Sequence, residues 1–204
     1  MKALMTGGSG LLGKELRKYI KCVHPNSKSM DITLPQTLLG GEFDTIIHCA
    51  AYTDVPKAEI EKKECFSVNV IGTLNLLEAY PKAKFVYISS EYANNPLNFY
   101  SWTKFWGEQL VAKREKWLII RTSFNKNPFV HDFAFFDQYT QGDYVEKIAP
   151  MIAAEIVKDS RGLVYVGTGR KTIFELARQT QPNIKGISVD DIKSVKLPKD
   201  YKSA

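Results

Sequence analysis

Lys2-Ala3-Leu4-Met5, running straight into Thr6-Gly7-Gly8-Ser9-Gly10-Leu11-Leu12-Gly13, is the stretch on which the reading of this chain turns. The apolar run predicts a short buried strand, and the spaced glycines predict a tight turn that opens a helix. Gly7 lets the chain turn with φ free to become positive. Gly10 removes the Cβ that would hold a pyrophosphate away from backbone N–H groups, and Gly13 lets the helix pack close to the strand. The helix N-terminus then faces the anion. Taken alone, the G-x-x-G-x-x-G spacing leaves open a glycine-rich turn that holds no ligand.

Composition narrows the field. At 204 residues, 44% of them apolar, the chain can bury a full α/β core, with at most a small appendage. The net charge is +6 and the isoelectric point about 9.1, but lysines spread along the sequence supply most of the positive charge, without an arginine run or an aromatic platform. Small anionic ligands are expected rather than a nucleic-acid track. Cys22, Cys49 and Cys65 have no metal-ligand spacing and read as core thiols of a reducing compartment, and no metal site is expected. No apolar run reaches membrane-spanning length and the first residues lack a leader layout, so no membrane association and a cytoplasmic location are expected.

Beyond the glycines, Leu11, Leu12, Leu16 and Ile20 fall at helical spacing, and a second strand is expected near Lys21-Cys22-Val23-His24. In a dinucleotide fold, a carboxylate at the end of that strand holds the adenosine ribose of NAD. Here no carboxylate comes before Asp31, and Ser27-Lys28 could accept a 2′-phosphate, which points to NADP(H) with NAD(H) still open. An ordinary polar loop is the alternative. Phe43 to Ala51 reads as a strand ending in Ala50-Ala51, small enough for a ribose to approach, with His48 a core histidine. Glu59 to Tyr80 reads as a helix with Phe66, Val70, Leu74 and Leu77 on one stripe and Gly72 allowing close packing. Lys84 to Ser89 reads as a buried strand that delivers Ser89-Ser90-Glu91-Tyr92 at its carboxyl end, where ligands bind in open parallel sheets.

Tyr100-Ser101-Trp102-Thr103-Lys104 is the second decisive stretch. On a helix, Tyr100 and Lys104 stand one turn apart on one face. The ammonium would favour the phenolate and orient the ring. With Ser90 from the neighbouring strand, the three form a proton-transfer group: Tyr100 protonates a ketone oxygen, Ser90 holds that oxygen, and Lys104 binds the nicotinamide ribose and tunes Tyr100. Trp102, Phe105 and Trp106 are expected in core packing.

Taken together, the glycine loop, Ala50-Ala51-Tyr52-Thr53, Asn69, Ser89-Ser90-Glu91-Tyr92, Tyr100/Lys104 and Arg121-Thr122-Ser123 resemble the extended short-chain dehydrogenase/reductases, and most closely their dTDP-4-dehydrorhamnose reductase branch. The resemblance implies a Rossmann-type α/β fold, a doubly wound parallel sheet with a reduced C-terminal substrate lobe. It also implies NAD(P)H-dependent reduction of a 4-keto group on a nucleotide-linked deoxysugar. By that resemblance Leu11 and Leu12 lie at the cofactor phosphates, Asp31 and Ile32 on the adenine side, and Ala50, Ala51 and Tyr52 beside the nicotinamide. Glu91, Tyr92 and Ser123 fall on the substrate side. Epimerase or dehydratase chemistry, and a regulatory module that keeps the dinucleotide without a productive substrate site, are the alternatives, and a homodimer is left open.

The departures are specific. Leu11-Leu12 stands where the branch carries Gln-Leu, Glu91 replaces Asp, and Phe124-Asn125-Lys126-Asn127-Pro128 replaces an aromatic, glycine-bearing segment. The chain is therefore divided into a dinucleotide-binding domain over 1–123 and a reduced substrate lobe over 124–204. Within that lobe Asp143 is expected to cap a helix with Ile148, Met151, Ile152 and Ile156 buried, Leu163 to Val166 to form a strand, and Thr172-Ile173-Phe174-Glu175 to form a capping box. From Lys185 onward, with Lys193, Lys196, Lys199 and Lys202, a solvated and partly mobile tail is expected.

Overall fold

The computed structural model describes residues 1–200; residues 201–204, and with them Lys202 of the expected tail, lie outside the described residues. Five parallel strands form the central sheet in the order β1-β2-β3-β4-β9. They are β1 (Ala3–Thr6), β2 (Thr45–His48), β3 (Lys84–Ser90), β4 (Trp117–Thr122) and β9 (Gly162–Tyr165). Every residue of β1, β2 and β3 is buried, as parallel strands covered on both faces require. The expected strand at 21–24 shrinks to a single bridge between Leu4 and Val23, with Met5 N–H donating to the Val23 carbonyl at 2.8 Å and Val23 N–H to that of Ala3 at 2.9 Å. Pro25 has no N–H to continue the ladder.

Helices cover both faces. One layer joins α1 (Leu11–Leu16) and α6 (Val145–Val157), whose Leu12, Leu16, Ile148, Ile152 and Ile156 close over Met5, Ile47, Val86 and Ile120. Burying each such side chain is worth about 1.5–3 kcal/mol, so α6 is integral to the core. The other layer contains α4 (Gly72–Ala79) and α5 (Phe99–Val111), with Leu76, Leu77 and Val111 packed over Leu4, Ile46, Phe85 and Ile119. A smaller core of Phe129, Ala134, Tyr144, Leu176 and Ala177 lies under α7 (Ile173–Arg178).

The segment after residue 123 supplies β9, paired in register with β4, and α6, whose apolar stripe joins α1 in the core on one face of the sheet. Met151 of the predicted stripe is 38% exposed. The cap of α6 is Tyr144; Asp143 instead accepts from the Thr168 hydroxyl at 2.5 Å and pairs with Lys147 at 3.1 Å. The Thr172–Glu175 capping box is present.

The helix expected over 59–80 runs unbroken from Lys62 to Ala79: α3 (Lys62–Phe66) continues through a π-helical stretch, Ser67–Ile71, into α4, and a separate short helix, α2 (Val55–Ala58), capped by Asp54, precedes it. Phe66 is exposed, and Gly72 does admit close packing: a Cβ there would sit 2.7 Å from the Ile32 side chain. Trp102 and Trp106 are 42% and 37% exposed, stacked with each other on the outer side of α5 rather than in the core. The tail is fastened rather than loose. Tyr139 N–H donates to the Lys199 carbonyl at 2.8 Å, Asn98 Nδ2 to that of Lys196 at 2.9 Å, and Val195 is buried. Among the described residues no helix is long and apolar enough to cross a membrane.

Candidate active site

A cavity of about 730 Å³ opens at the carboxyl ends of β1 to β4. Its floor is the glycine turn. Gly7 has φ +68°, and a Cβ there would lie 2.5 Å from the Ala50 nitrogen; one on Gly13 would lie 2.3 Å from the Gly7 carbonyl oxygen. Side chains are therefore excluded where the turn meets β2 and α1. Gly10, Leu11 and Leu12 line the same wall, although Leu11 is 40% exposed at the rim instead of in the helix stripe.

On the adenine side of this expectation, Ser27, Asp31 and Ile32 line the cavity and Lys28 does not; its side chain belongs to an exposed turn. Asp31 Oδ1 accepts from both the N–H and the hydroxyl of Thr33 at 2.8 Å. Ala50 and Ala51 line the opposite part, but Tyr52 turns away, its hydroxyl donating to Glu61 Oε2 at 2.5 Å. The backbone of Tyr52 is held by Asn69, whose Oδ1 accepts from Tyr52 N–H at 2.8 Å and whose Nδ2 donates to the Tyr52 carbonyl at 3.1 Å.

Ser90, Tyr92, Tyr100 and Lys104 are brought together on one wall, with the rings of Tyr92 and Tyr100 packed edge to face at 6.3 Å. Burial raises the pKa of the Tyr100 phenol above its ordinary value, and a hydrogen bond with Ser90 opposes that rise. Lys104 is 2% exposed and donates to the Ile88 carbonyl at 2.9 Å, with the Tyr87 ring 4.2 Å from its Nζ. Burial lowers its pKa to about 8, against the attraction of Glu108. The phenol is thus a neutral donor.

Ser123 lines the cavity; Glu91 does not. Glu91 is 3% exposed and accepts from the Thr140 hydroxyl at 2.6 Å and from Gln141 N–H at 2.9 Å, so the carboxylate stitches the segment after β3 to the second half of the chain. Burial raises its pKa. Met30, Cys49 and Asn125 also line the cavity without any local motif to mark them, and Thr53 and Thr122 line it from within the stretches Ala50-Ala51-Tyr52-Thr53 and Arg121-Thr122-Ser123. Burial pushes the Cys49 thiol up to about 12. Among the described residues none after Asn125 lines the cavity.

Residues 1–136 match the family described as the RmlD substrate binding domain. The chain belongs to this family. Every residue lining the cavity falls within the matched segment. Among similar proteins, the dTDP-4-dehydrorhamnose reductase of Mycolicibacterium smegmatis is 30% identical over 147 residues, 60% of this chain and 45% of that protein. The GDP-6-deoxy-D-mannose reductase of Pseudomonas aeruginosa is 37% identical over 103 residues, 44% of this chain and 34% of that protein. The matched part of the chain therefore spans less than half the length of these curated relatives. The solved dTDP-4-dehydrorhamnose reductase of Bacillus anthracis, in complex with NADP, superposes with a TM-score of 0.83 at 27% identity, over 98% of this chain and 88% of that one. The RmlD-family chain thus shares the Rossmann-type architecture of these reductases.

Proposed function

We propose that this chain is an NADPH-dependent reductase of the 4-keto group of a nucleotide-linked deoxysugar. The observation that carries the reading is the meeting of Ser90, Tyr100 and Lys104 in the same cavity as the Gly7–Gly13 turn. The turn fits a dinucleotide, because Gly7, Gly10 and Gly13 present it to the cavity as backbone without side chains. When bound, the nicotinamide supplies hydride to the substrate carbonyl carbon.

The chain's own residues do the rest. Tyr100 protonates the carbonyl oxygen as negative charge develops there, and Ser90 hydrogen-bonds that oxygen. A lysine ammonium has three donors and the Ile88 carbonyl takes one, so two remain for ribose hydroxyls. NADPH is preferred over NADH in this reading, supported by Ser27 on the wall and by the NADP complex of the Bacillus anthracis relative. Isothermal titration tests the preference, and tighter NADH binding overturns it. Incubating a panel of nucleotide 4-keto sugars with NADPH and NADH, followed at the nicotinamide absorbance, tests the reaction.

One observation favours a second reading. With no described residue after Asn125 on the cavity wall, the substrate side is sparsely furnished, as expected of a module that binds the dinucleotide without turnover. Firm NADPH binding with no turnover across the panel selects it.

A further inference from the structure

Two consecutive residues of β3 are each tied to a different turn of α5. The Ile88 carbonyl accepts from Lys104 Nζ at 2.9 Å, and the Ser89 hydroxyl donates to Glu108 Oε1 at 2.5 Å. Tyr100, Lys104 and Glu108 are spaced by four and share one helix face. The first two line the cavity; Glu108 does not. It is 3% exposed, and Arg121 grips it with Nε on Oε1 at 2.9 Å and Nη2 on Oε2 at 2.7 Å. Arg121 is anchored in turn by Asn94 Oδ1 and the Tyr165 hydroxyl, both 2.7 Å from its Nη1.

Stability alone gives little reason to bury such a pair, because desolvation offsets most of the Coulombic gain and well-packed apolar residues do as well. The surroundings of Lys104 give a better one. The groups that act on its ammonium come from β2 and the residue after it (His48 and Cys49), α3 (Cys65), β3 (Tyr87) and α5 (Glu108). Burial keeps His48 neutral, its pKa lowered to about 3, and keeps both thiols and the Tyr87 phenol protonated. Glu108, fixed as a carboxylate by its fork-on-fork contact with Arg121, brings the negative charge.

We infer that Glu108, locked by Arg121, is a positioning residue for Lys104: its carboxylate, one turn along α5, keeps Lys104 an ammonium without entering the cavity. This rests on the reading of Lys104 as an active-site group.

The test is lysine-selective carbon-13 NMR of the ligand-free protein across pH, with the Lys104 signal assigned by its disappearance in Lys104→Met. Wild type is expected to titrate near pH 8. Glu108→Gln keeps the shape, removes the charge and leaves Arg121 as an uncompensated cation, so the Lys104 midpoint falls by about one pH unit or more. NADPH affinity above neutral pH falls with it. If Glu108→Gln does not fold, Glu108→Asp takes its place: the carboxylate withdraws by one methylene and the midpoint moves down by a smaller amount. A folded variant that melts earlier but leaves the Lys104 midpoint where it was overturns the inference and makes Glu108 merely structural. Failure of the wild type to reduce any keto sugar, with the midpoint displaced as expected, sinks the reductase reading and leaves this one standing.

Discussion

Asn69 holds the backbone of Tyr52 at both ends of one residue, accepting its N–H at 2.8 Å and donating to its carbonyl at 3.1 Å, from within the π-helical stretch that joins α3 to α4. The same amide donates to Thr103 Oγ1 at 2.9 Å, so the cavity loop 50–53 is coupled to α5 through one side chain. Leaving such buried groups unpaired costs about 1–3 kcal/mol each. Asn69→Leu is therefore expected to lower the melting temperature and to weaken dinucleotide binding together. Calorimetry and titration check it, and unchanged affinity in a destabilised protein would separate the loop from the cofactor site.

Tyr100→Phe preserves the ring against Tyr92 and removes the proton donor, so turnover should fall by about 10²–10⁴-fold while NADPH affinity stays nearly constant. Ser90→Ala should lower turnover by roughly 10–10³-fold, on the scale of losing one donor to a developing oxyanion. Lys104→Met should damage both turnover and cofactor affinity. Steady-state kinetics with a reducible 4-keto sugar reads all three, and a Tyr100→Phe enzyme that retains most of the wild-type rate refutes the mechanism.

Gly13 and Gly40 make a matched pair of alanine substitutions. A Cβ on Gly13 would stand 2.3 Å from the Gly7 carbonyl oxygen and 2.6 Å from the Gly8 Cα, backbone that cannot step aside; one on Gly40 meets nothing within 4 Å. Gly13→Ala should cost about 1–3 kcal/mol or more and abolish dinucleotide binding. Gly40→Ala should be neutral or gain about 0.4–1 kcal/mol by restricting the unfolded chain. Chemical denaturation of the two variants is the measurement.

His48 makes stability acid-sensitive. Its Nδ1 bonds the Thr6 hydroxyl at 2.7 Å and its Nε2 that of Thr73 at 3.0 Å; Thr73 in turn donates to the Asn69 carbonyl, which assigns the proton to Nε2 of a neutral ring. Burial lowers the folded pKa from 6.5 to about 3, so between those values the unfolded chain binds a proton that the native one does not. Stability attributable to His48 is full above about pH 6.5 and drains away at up to about 1.4 kcal/mol per pH unit as pH falls towards 3. Glu91, with its pKa raised, acts in the opposite sense above 4.5, while the lowered pKa of Asp143 reinforces His48 only below its ordinary 3.8. The readout is therefore the difference in pH slope between wild type and His48→Gln from pH 6.5 downward. Parallel curves would show that the ring is protonated in the folded state.

Local sequence alone was enough for the elements whose chemistry is contained in a few neighbouring residues. The glycine turn, the buried strands at 3–6, 45–48 and 84–90, the α5 spacing of Tyr100 and Lys104 and the Thr172 capping box follow from backbone freedom, short apolar runs, helical periodicity and reciprocal hydrogen bonding. His48 was legible as a core residue because a strand covered on both faces offers a histidine only buried partners. Tertiary structure decided what depends on partners far away in the chain. It turned Glu91 from a substrate contact into a joint with Thr140 and Gln141, and it moved Tyr52 out of the cavity through Glu61 and Asn69. It also folded α6 and β9 back into the main core. A buried carboxylate goes where distant donors can satisfy it, and an apolar helix face goes where a sheet still lacks cover. Neither location is written in the residues beside it.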